Sequence, residues 1–202
     1  PEILQQSEAT LKEWMNSPAL KDYRRSMELL IRQKPHTLSA EEETLLGLAS
    51  DVFSTPQEGF SKLANADLEF EPAVDSRGKE HEVTNGAFYS LLQHSDRTLR
   101  QNAFASIYKG YRSHENTLAT LLSGSSKSHV FNADVRKFDG ALEAALFNDN
   151  IPNSVYTSLI EAVHEALPVF HEYVDLRARA LDLGKDINPW DFYVPIVPDF
   201  EM

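Results

Sequence analysis

Apolar residues recur at helical spacing along most of this chain, and the clearest run lies between Phe138 and Gly184. Steps of three, four or seven residues place one apolar stripe on a single helix face. The stripe comprises Val155, Leu159, Val163, Leu167, Phe170, Val174 and Leu181. The pattern predicts a long helix that begins at Pro152 and buries this stripe against upstream helices. Pro168 within it predicts a kink or a short break.

Start and stop signals predict four shorter helices before residue 67. Ser17 and Pro18 suit the cap and the first position of a helix, whereas Pro35 blocks continuation. Ser39 and Glu42 have the spacing of a capping box. The predicted helices run from Leu4 through Leu11 and Trp14 to Asn16, from Pro18 to Pro35, from the Ser39 cap to Phe53, and from Thr55 and Pro56 to Asn65.

Helical patterns resume at Asn85. Ser95 is suited to cap a long segment that ends near Phe138, and this segment is either one helix of about 40 residues or two helices broken around Gly124. Asp139 then begins a shorter helix that contains the letters GALEAALF.

One β-hairpin interrupts the helical pattern between residues 67 and 84. Leu68, Phe70 and Val74 alternate with polar residues, which predicts a first strand. DSRG is predicted to form the turn, and KEHEVT the second strand. Two strands alone are marginal in water, so the hairpin must lie on a helix or pair with chain outside this sequence. The predicted fold class is mainly α, a bundle of about seven to nine helices with one isolated β-hairpin.

This pattern divides the chain into four predicted regions. Helical hairpins occupy residues 1–66, the β-hairpin 67–84, and a long-helix bundle 85–185. Residues 186–202 are rich in proline and are predicted to form a linker into a catalytic domain beyond this sequence. Because Pro1 is followed at once by a helical pattern and the chain stops at VPIVPDFEM, we expect a fragment of a longer protein.

Composition narrows the possible partners of the chain. Its 202 residues are 42% hydrophobic, which is enough for a real core. Nineteen basic against 31 acidic side chains give a formal charge of −12, which opposes binding to nucleic acid and to anionic membranes. Without cysteine, and without an apolar run near the roughly 18 residues of a membrane span, the chain is expected to be cytoplasmic.

Four His-Glu dipeptides invite a search for a zinc-protease motif. They begin at His81, His114, His164 and His171, and none has a second histidine four residues later. The best remaining metal candidate is the pair His164 and His171, flanked by Glu161, Glu165, Glu172 and Asp175. Histidines at a packed helix boundary are the favoured interpretation, because metal sites need convergent ligands. We therefore assign no catalytic, cofactor-binding or metal-binding residue and expect no cofactor in this chain.

Three other segments have a structural and a functional interpretation. SGSSKS, at residues 123–128, lacks the spacing of a phosphate-binding loop and is better explained by close helix packing or a bend. The acidic run Glu41–Glu43 is predicted to be a capped, solvated helix start rather than a cation site. Trp190, Phe192 and Tyr193 could line a pocket, although packing against a following domain is favoured.

Several segments resemble one enzyme family. KPHTLSAEEE, NADLEF with its hairpin, ALEAALFNDNIPNSVYTSLIEAV and DFYVPIV are similar, in order and spacing, to the oligoendopeptidase F family of zinc metallopeptidases, relatives of thimet oligopeptidase. SGSSKS and VRKFDG depart locally from that pattern. The resemblance implies a mainly helical enzyme that encloses and cleaves oligopeptides.

In that family zinc is bound by a later His-Glu-x-x-His segment and a more distal glutamate, which this sequence does not contain. The resemblance therefore implies that this chain is the non-catalytic part of a zinc metalloendopeptidase, forms part of the wall or lid of the substrate cavity, and packs against its own C-terminal catalytic domain. The alternative is a free-standing acidic helical module for protein interaction.

Overall fold

The structure is a computed structural model that describes residue 3 and residues 6–197. These residues form eight α-helices and a two-stranded antiparallel sheet, which confirms the predicted fold class. The helices are α1 Glu8–Asn16, α2 Arg24–Gln33, α3 Ala40–Lys62, α4 Phe88–Leu92, α5 Arg97–Arg112, α6 Glu115–Val135, α7 Ala141–Phe147 and α8 Asn153–Ala180. The strands are β1 Ala73–Val74 and β2 Glu80–His81.

The chain divides into two compact units. Unit 1 comprises Pro1–Thr55 and Ser123–Ser158, and unit 2 comprises Pro56–Leu122 and Leu159–Met202. Helices α3, α6 and α8 each contribute residues to both units.

The capping signals locate the starts of α3 and α5, the second of them to within one residue. Ser39 and Glu42 form the predicted capping box: the Ser39 N–H donates to the Glu42 carboxylate at 2.9 Å, and the Glu42 N–H donates to the Ser39 hydroxyl at 3.3 Å. The cap of α5 is Asp96 and not Ser95. Its Oδ1 accepts the N–H groups of Thr98 and Leu99 at 2.9 and 3.3 Å, and the charged oxygen is the stronger acceptor at a helix N-terminus.

Proline interrupts neither of the two helices in which it was expected to do so. α3 runs through Pro56, so the predicted break after Phe53 is wrong, and α8 runs through Pro168 without a break. A proline inside a helix leaves the carbonyl four residues earlier without its donor. Here those carbonyls belong to Val52 and His164, whose side chains are exposed, so water can reach this side of each helix.

The break in the long segment lies elsewhere than at Gly124. α5 ends at Arg112 and α6 begins at Glu115, so the segment is neither one helix nor two helices broken at Gly124. The Ser113 hydroxyl and the His114 imidazole both approach the Gly110 carbonyl, at 2.6 and 3.2 Å. These side chains occupy the acceptor that another helical turn would use, and that competition favours a helix end here.

Two predicted boundaries at the start of the chain are also refined. The second predicted helix, Pro18–Pro35, consists of a 3₁₀ turn at Pro18–Tyr23, helix α2, and a 3₁₀ turn at Lys34–His36. Leu4, which was expected to start the first helix, lies outside the described residues.

The hairpin is shorter than predicted and lies on a helix. Ala73 pairs with His81 and Val74 with Glu80, whereas Leu68 and Phe70 precede the first strand. The unit 2 core comprises Ala73, Val83, Leu99, Ala103 and Ile107, all at most 5% exposed. Of the two predicted supports, a helix or chain outside this sequence, the structure shows a helix, and it is α5.

Unit 1 has a smaller buried core. Leu11 and Ala133 are fully buried, and Phe53 contacts Phe131 with ring centroids 5.2 Å apart. The main charged contact of this unit is bidentate: Arg136 donates to both Glu43 carboxylate oxygens at 2.9 and 2.8 Å.

The apolar stripe of α8 is exposed, contrary to the prediction that it is buried. Leu159, Val163 and Phe170 are 62%, 52% and 50% exposed, and Val155 and Leu167 are exposed too. Only Arg177 and Ala178, near the end of the helix, are buried. The described residues do not supply a partner for this face of α8. Within them, no helix has both the length and the apolar character that crossing a membrane requires.

Candidate functional site

A buried carboxylate fixes the segment that follows α8. Asp191 is 0% exposed and closes a 3₁₀ turn, Pro189–Asp191, whose cap is Asn188. Its carboxylate accepts from Arg97 Nη2 at 3.0 Å and from Arg100 Nη2 at 2.8 Å, and both arginines belong to α5. The predicted linker is thus anchored within unit 2 at Asp191 by charged hydrogen bonds from two arginines. Residues 198–202 lie outside the described part of the chain.

A third arginine holds the backbone of the same segment. Arg177 of α8 donates through Nη2 to the carbonyl oxygens of Asp191 and Val194, at 3.0 and 2.7 Å. Arg100 also donates to the Trp190 carbonyl at 3.2 Å. Burial would raise the pKa of Asp191, but hydrogen bonds from Arg97 and Arg100 outweigh it and hold that pKa below its usual value. The carboxylate is therefore ionised at neutral pH and binds the arginines.

The anchored segment closes one side of an aromatic pocket of 310 Å³ in unit 2. The other side comes from α4 and α5. The lining residues are Phe88, Tyr89, Leu92, Phe104, Tyr108, Pro189, Phe192 and Tyr193. Tyr89 meets Tyr193 edge to face at 5.1 Å, and Phe104 lies 4.3 Å from Tyr108 between ring centroids. We refer to these eight residues as the aromatic pocket.

Three phenol groups remain accessible at this pocket. Tyr89, Tyr108 and Tyr193 are 56%, 55% and 47% exposed. The pKa of Tyr193 is raised, first by the electrostatic effect of Tyr89 and then by burial, so its hydroxyl stays protonated at neutral pH. The pocket therefore combines apolar rings with hydroxyl donors.

A second, larger cleft of 1050 Å³ lies in unit 1. His36 stacks on Phe138 with centroids 3.8 Å apart, and Phe147 meets its edge at 4.9 Å. His36 Nδ1 lies 2.8 Å from the Arg136 carbonyl, which can only accept, so Nδ1 carries the proton in this contact. This cleft is shaped by rings and by the Arg136–Glu43 pair, and nothing in it points to a particular ligand.

The four histidines of the motif search are not brought together. His164 and His171 are exposed on α8, as are their four acidic neighbours. His81 on β2 contacts Asp75 at 3.0 Å, and His114 lies in the break between α5 and α6. Across residues 3 and 6–197 there is no group of three or more His, Asp or Glu side chains that could hold a metal ion.

The other sequence candidates have defined positions. Residues 123–128 lie within α6, and Glu41–Glu43 form the first turn of α3, where Glu42 caps and Glu43 pairs with Arg136. Phe192 and Tyr193 line the aromatic pocket, and Trp190 contacts Phe104, which also lines it, at 5.5 Å. Sequence reasoning missed Asp191 and its arginines, although an acidic residue between Trp190 and Phe192 was the one available signal.

Comparison with known proteins assigns the family. The model described as Oligopeptidase F matches residues 2–70, and that described as Peptidase family M3 matches residues 90–197. The chain belongs to peptidase family M3. The M3 match includes residues 90–92 of α4, the whole of α5 and α8, and every residue of the aromatic pocket except Phe88 and Tyr89.

Individual relatives of this M3 chain agree with the sequence resemblance. Oligopeptidase PepF of Bacillus subtilis is 39% identical over 203 residues, which cover 100% of this chain and 30% of that protein. The oligoendopeptidase F homolog of Borreliella burgdorferi is 37% identical, with 97% and 32% covered. The chain therefore spans about a third of the length of these relatives.

Solved structures confirm the fold. The crystal structure of oligoendopeptidase-F from Enterococcus faecium superposes with a TM-score of 0.89 at 35% identity, covering 100% of this chain and 39% of that one. A structure from Chlamydophila abortus gives 0.93 at 31% identity, covering 97% and 33%. The resemblance to the oligoendopeptidase F family is thereby confirmed.

Proposed function

We propose that this chain is the non-catalytic helical portion of a zinc metalloendopeptidase that cleaves oligopeptides, and that it forms part of the wall or lid of the substrate cavity. The observation that carries the proposal is the pair of family matches along residues 2–70 and 90–197, in a chain only a third as long as its relatives. The names of those relatives, oligopeptidase and oligoendopeptidase F, support an oligopeptide substrate for the intact protein.

Zinc chemistry is assigned to the intact protein and not to this chain. The described residues do not fit a zinc site, because no three candidate donor side chains converge. No ligand, general base or catalytic step is therefore attributed to any residue here. In the intact enzyme, a later His-Glu-x-x-His segment would supply those groups.

The exposed stripe of α8 supports a large intramolecular partner. Contiguous apolar surface of this kind is unusual on a free monomer and typically marks an interface. We infer that the catalytic domain of the same protein covers this face, and that residues 186–202 lead into that domain. The anchoring of Asp191 would then fix the direction in which the chain enters it.

Two preparations test this proposal: the protein at its natural length and the 202-residue chain alone. Metal analysis and a fluorescence-quenched oligopeptide are applied to both. We expect near-stoichiometric zinc and cleavage for the natural-length protein, and neither for the chain alone. Zinc or cleavage in the chain alone would refute the non-catalytic assignment, and their absence from the natural-length protein would refute the peptidase assignment.

The alternative, a free-standing acidic interaction module, is favoured only by the net charge of −12. Light scattering separates it from the proposal. A module should be monodisperse or form a defined complex, whereas a chain that lacks its partner for α8 should associate or aggregate.

A further inference from the structure

We propose that the aromatic pocket binds one aromatic or large aliphatic side chain of the oligopeptide, and so contributes to the choice of peptides that the intact enzyme cleaves. This inference rests on the proposed function. Its basis is the lining of the pocket, the tyrosine hydroxyls in that lining, and the cluster around Asp191 that supports one wall.

The charge of the lining selects an uncharged group. None of the eight lining residues is acidic or basic, although the chain as a whole carries a formal charge of −12. The three cations that hold the anchored segment, Arg97, Arg100 and Arg177, are committed to Asp191 and to backbone carbonyls. A charged side chain would lose water here without gaining a partner, whereas an apolar one would gain ring contacts.

The size of the pocket fits a side chain rather than a domain. Its 310 Å³ lies at the lower end of the roughly 300–1,000 Å³ typical of ligand pockets. Recognition of extended peptides in aromatic-lined grooves commonly combines such a pocket with hydrogen bonds to the peptide backbone.

The tyrosines can supply those hydrogen bonds. The Tyr89 and Tyr193 hydroxyls hydrogen-bond to each other, so one donates, the other accepts, and one O–H hydrogen stays available. Tyr108 adds a third hydroxyl to the lining and is 55% exposed. The pocket therefore offers O–H donors to a peptide carbonyl beside the bound side chain.

The Asp191 cluster keeps the pocket preformed. Pro189 and Phe192 flank the segment that Arg97, Arg100 and Arg177 hold to α5 and α8. A site whose walls are fixed before binding loses less conformational entropy on binding than a site formed by mobile loops.

Kinetics of the natural-length protein provide the first test. Sets of quenched peptides carry Phe, Leu, Ala or Asp at a single variable position, and each set places that position at a different point along the peptide. In one of these sets the wild type should cleave the Phe and Leu peptides with a higher kcat/KM than the Ala and Asp peptides. Tyr193→Ala should reduce the Phe-to-Ala ratio of kcat/KM about tenfold, and Tyr193→Phe, which keeps the ring, should leave that ratio within about twofold. Tyr23→Phe, an exposed tyrosine in unit 1, is the matched control and should change nothing.

A binding measurement keeps the inference testable if the protein shows no peptidase activity. Trp190 contacts Phe104 of the pocket, so the tryptophan emission that Trp190→Phe removes from the natural-length protein reports on the pocket. N-acetyl-phenylalanine amide should change that part of the emission saturably, N-acetyl-glycine amide should not, and Tyr193→Ala should weaken the response about tenfold.

The outcomes separate this inference from the proposed function. Equal loss of kcat/KM for all peptides would overturn the pocket assignment and leave the peptidase assignment intact. A second outcome would also overturn the pocket assignment: Tyr193→Ala lowers the thermal stability but leaves the selectivity unchanged, and the wild type does not bind the probe. Another part of the same protein would then cover the pocket. Tyr193-dependent probe binding by a protein without peptidase activity would support the pocket and refute the peptidase.

Discussion

Helices α5 and α8 both have apolar stripes, but the stripe of α5 is buried and that of α8 is exposed. On α5, Leu99 and Ala103 are fully buried under the hairpin, whereas on α8 Leu159 and Val163 are more than half exposed. Periodicity in a sequence therefore reports which face of a helix is apolar, but burial requires a partner. Helix α5 packs against the preceding hairpin, whereas no partner for the stripe of α8 is present among the described residues.

The largest expected effect is on α5. Leu99→Ala removes a side chain that is 0% exposed in the unit 2 core. We expect a loss of about 4 kcal/mol in the free energy of unfolding, from lost burial and the cavity that remains. Denaturant titration measures it, and a loss below about 1 kcal/mol would contradict the claim that this helix carries the core.

Asp191→Asn should lower the free energy of unfolding by a similar amount. The substitution keeps the shape of the side chain but removes the charge that two arginines bind, and breaking a buried pair costs about 3 kcal/mol. Denaturant titration again measures the change. Asp186→Asn is the control, because Asp186 also contacts Arg97 but is 84% exposed, and it should cost at most about 0.5 kcal/mol.

A substitution in the exposed stripe of α8 should hardly change the free energy of unfolding of the isolated chain. Val163→Asp places a charge in the exposed stripe, and its effect on the free energy of unfolding should stay within about 0.5 kcal/mol. Light scattering should show less association than in the wild type. In the natural-length protein the same substitution should be strongly destabilising if the catalytic domain covers this face, and a neutral effect there would remove the basis for that contact.

The smallest expected effect concerns acid stability at the start of α5. Hydrogen bonds from Ser76 and from the helix N-terminus lower the pKa of Asp96 to about 2, below the roughly 3.9 of an unfolded chain. The stabilisation is thus complete above pH 4 and is lost as the pH falls towards 2. The melting temperature of Asp96→Asn should be lower than that of the wild type at pH 6, and the gap should shrink between pH 4 and pH 2. A gap that is independent of pH would contradict this account.

The sequence was informative wherever the decisive interaction is local. The Ser39–Glu42 capping box, the hairpin turn and the helical periods all depend on neighbours within a few residues. The break at Ser113–His114 was missed because two side chains, and not Gly124, end the helix. The break expected at Pro56 is absent, and α8 continues through Pro168, because solvent can reach the helix surface where each proline leaves a carbonyl unpaired.

The site was less predictable because it depends on distant pairs. Trp190, Phe192 and Tyr193 were recognised as possible pocket residues, but their partners on α4 and α5 lie about 80 to 100 residues away in sequence. Asp191 was missed for the same reason, since an aspartate in a proline-rich segment gives no local sign of two arginine partners.

One contact described above bears on the order of folding. The carboxylate of Asp96 caps α5 through one oxygen and, through the other, accepts the Ser76 N–H and hydroxyl at 2.9 and 2.5 Å. The hairpin has only two residues in each strand and so cannot persist before α5 has a first turn to which its loop can attach. We therefore expect α5 to belong to the folding nucleus and the hairpin to consolidate after the rate-limiting step. Ser76→Ala should accelerate unfolding and leave the folding rate nearly unchanged.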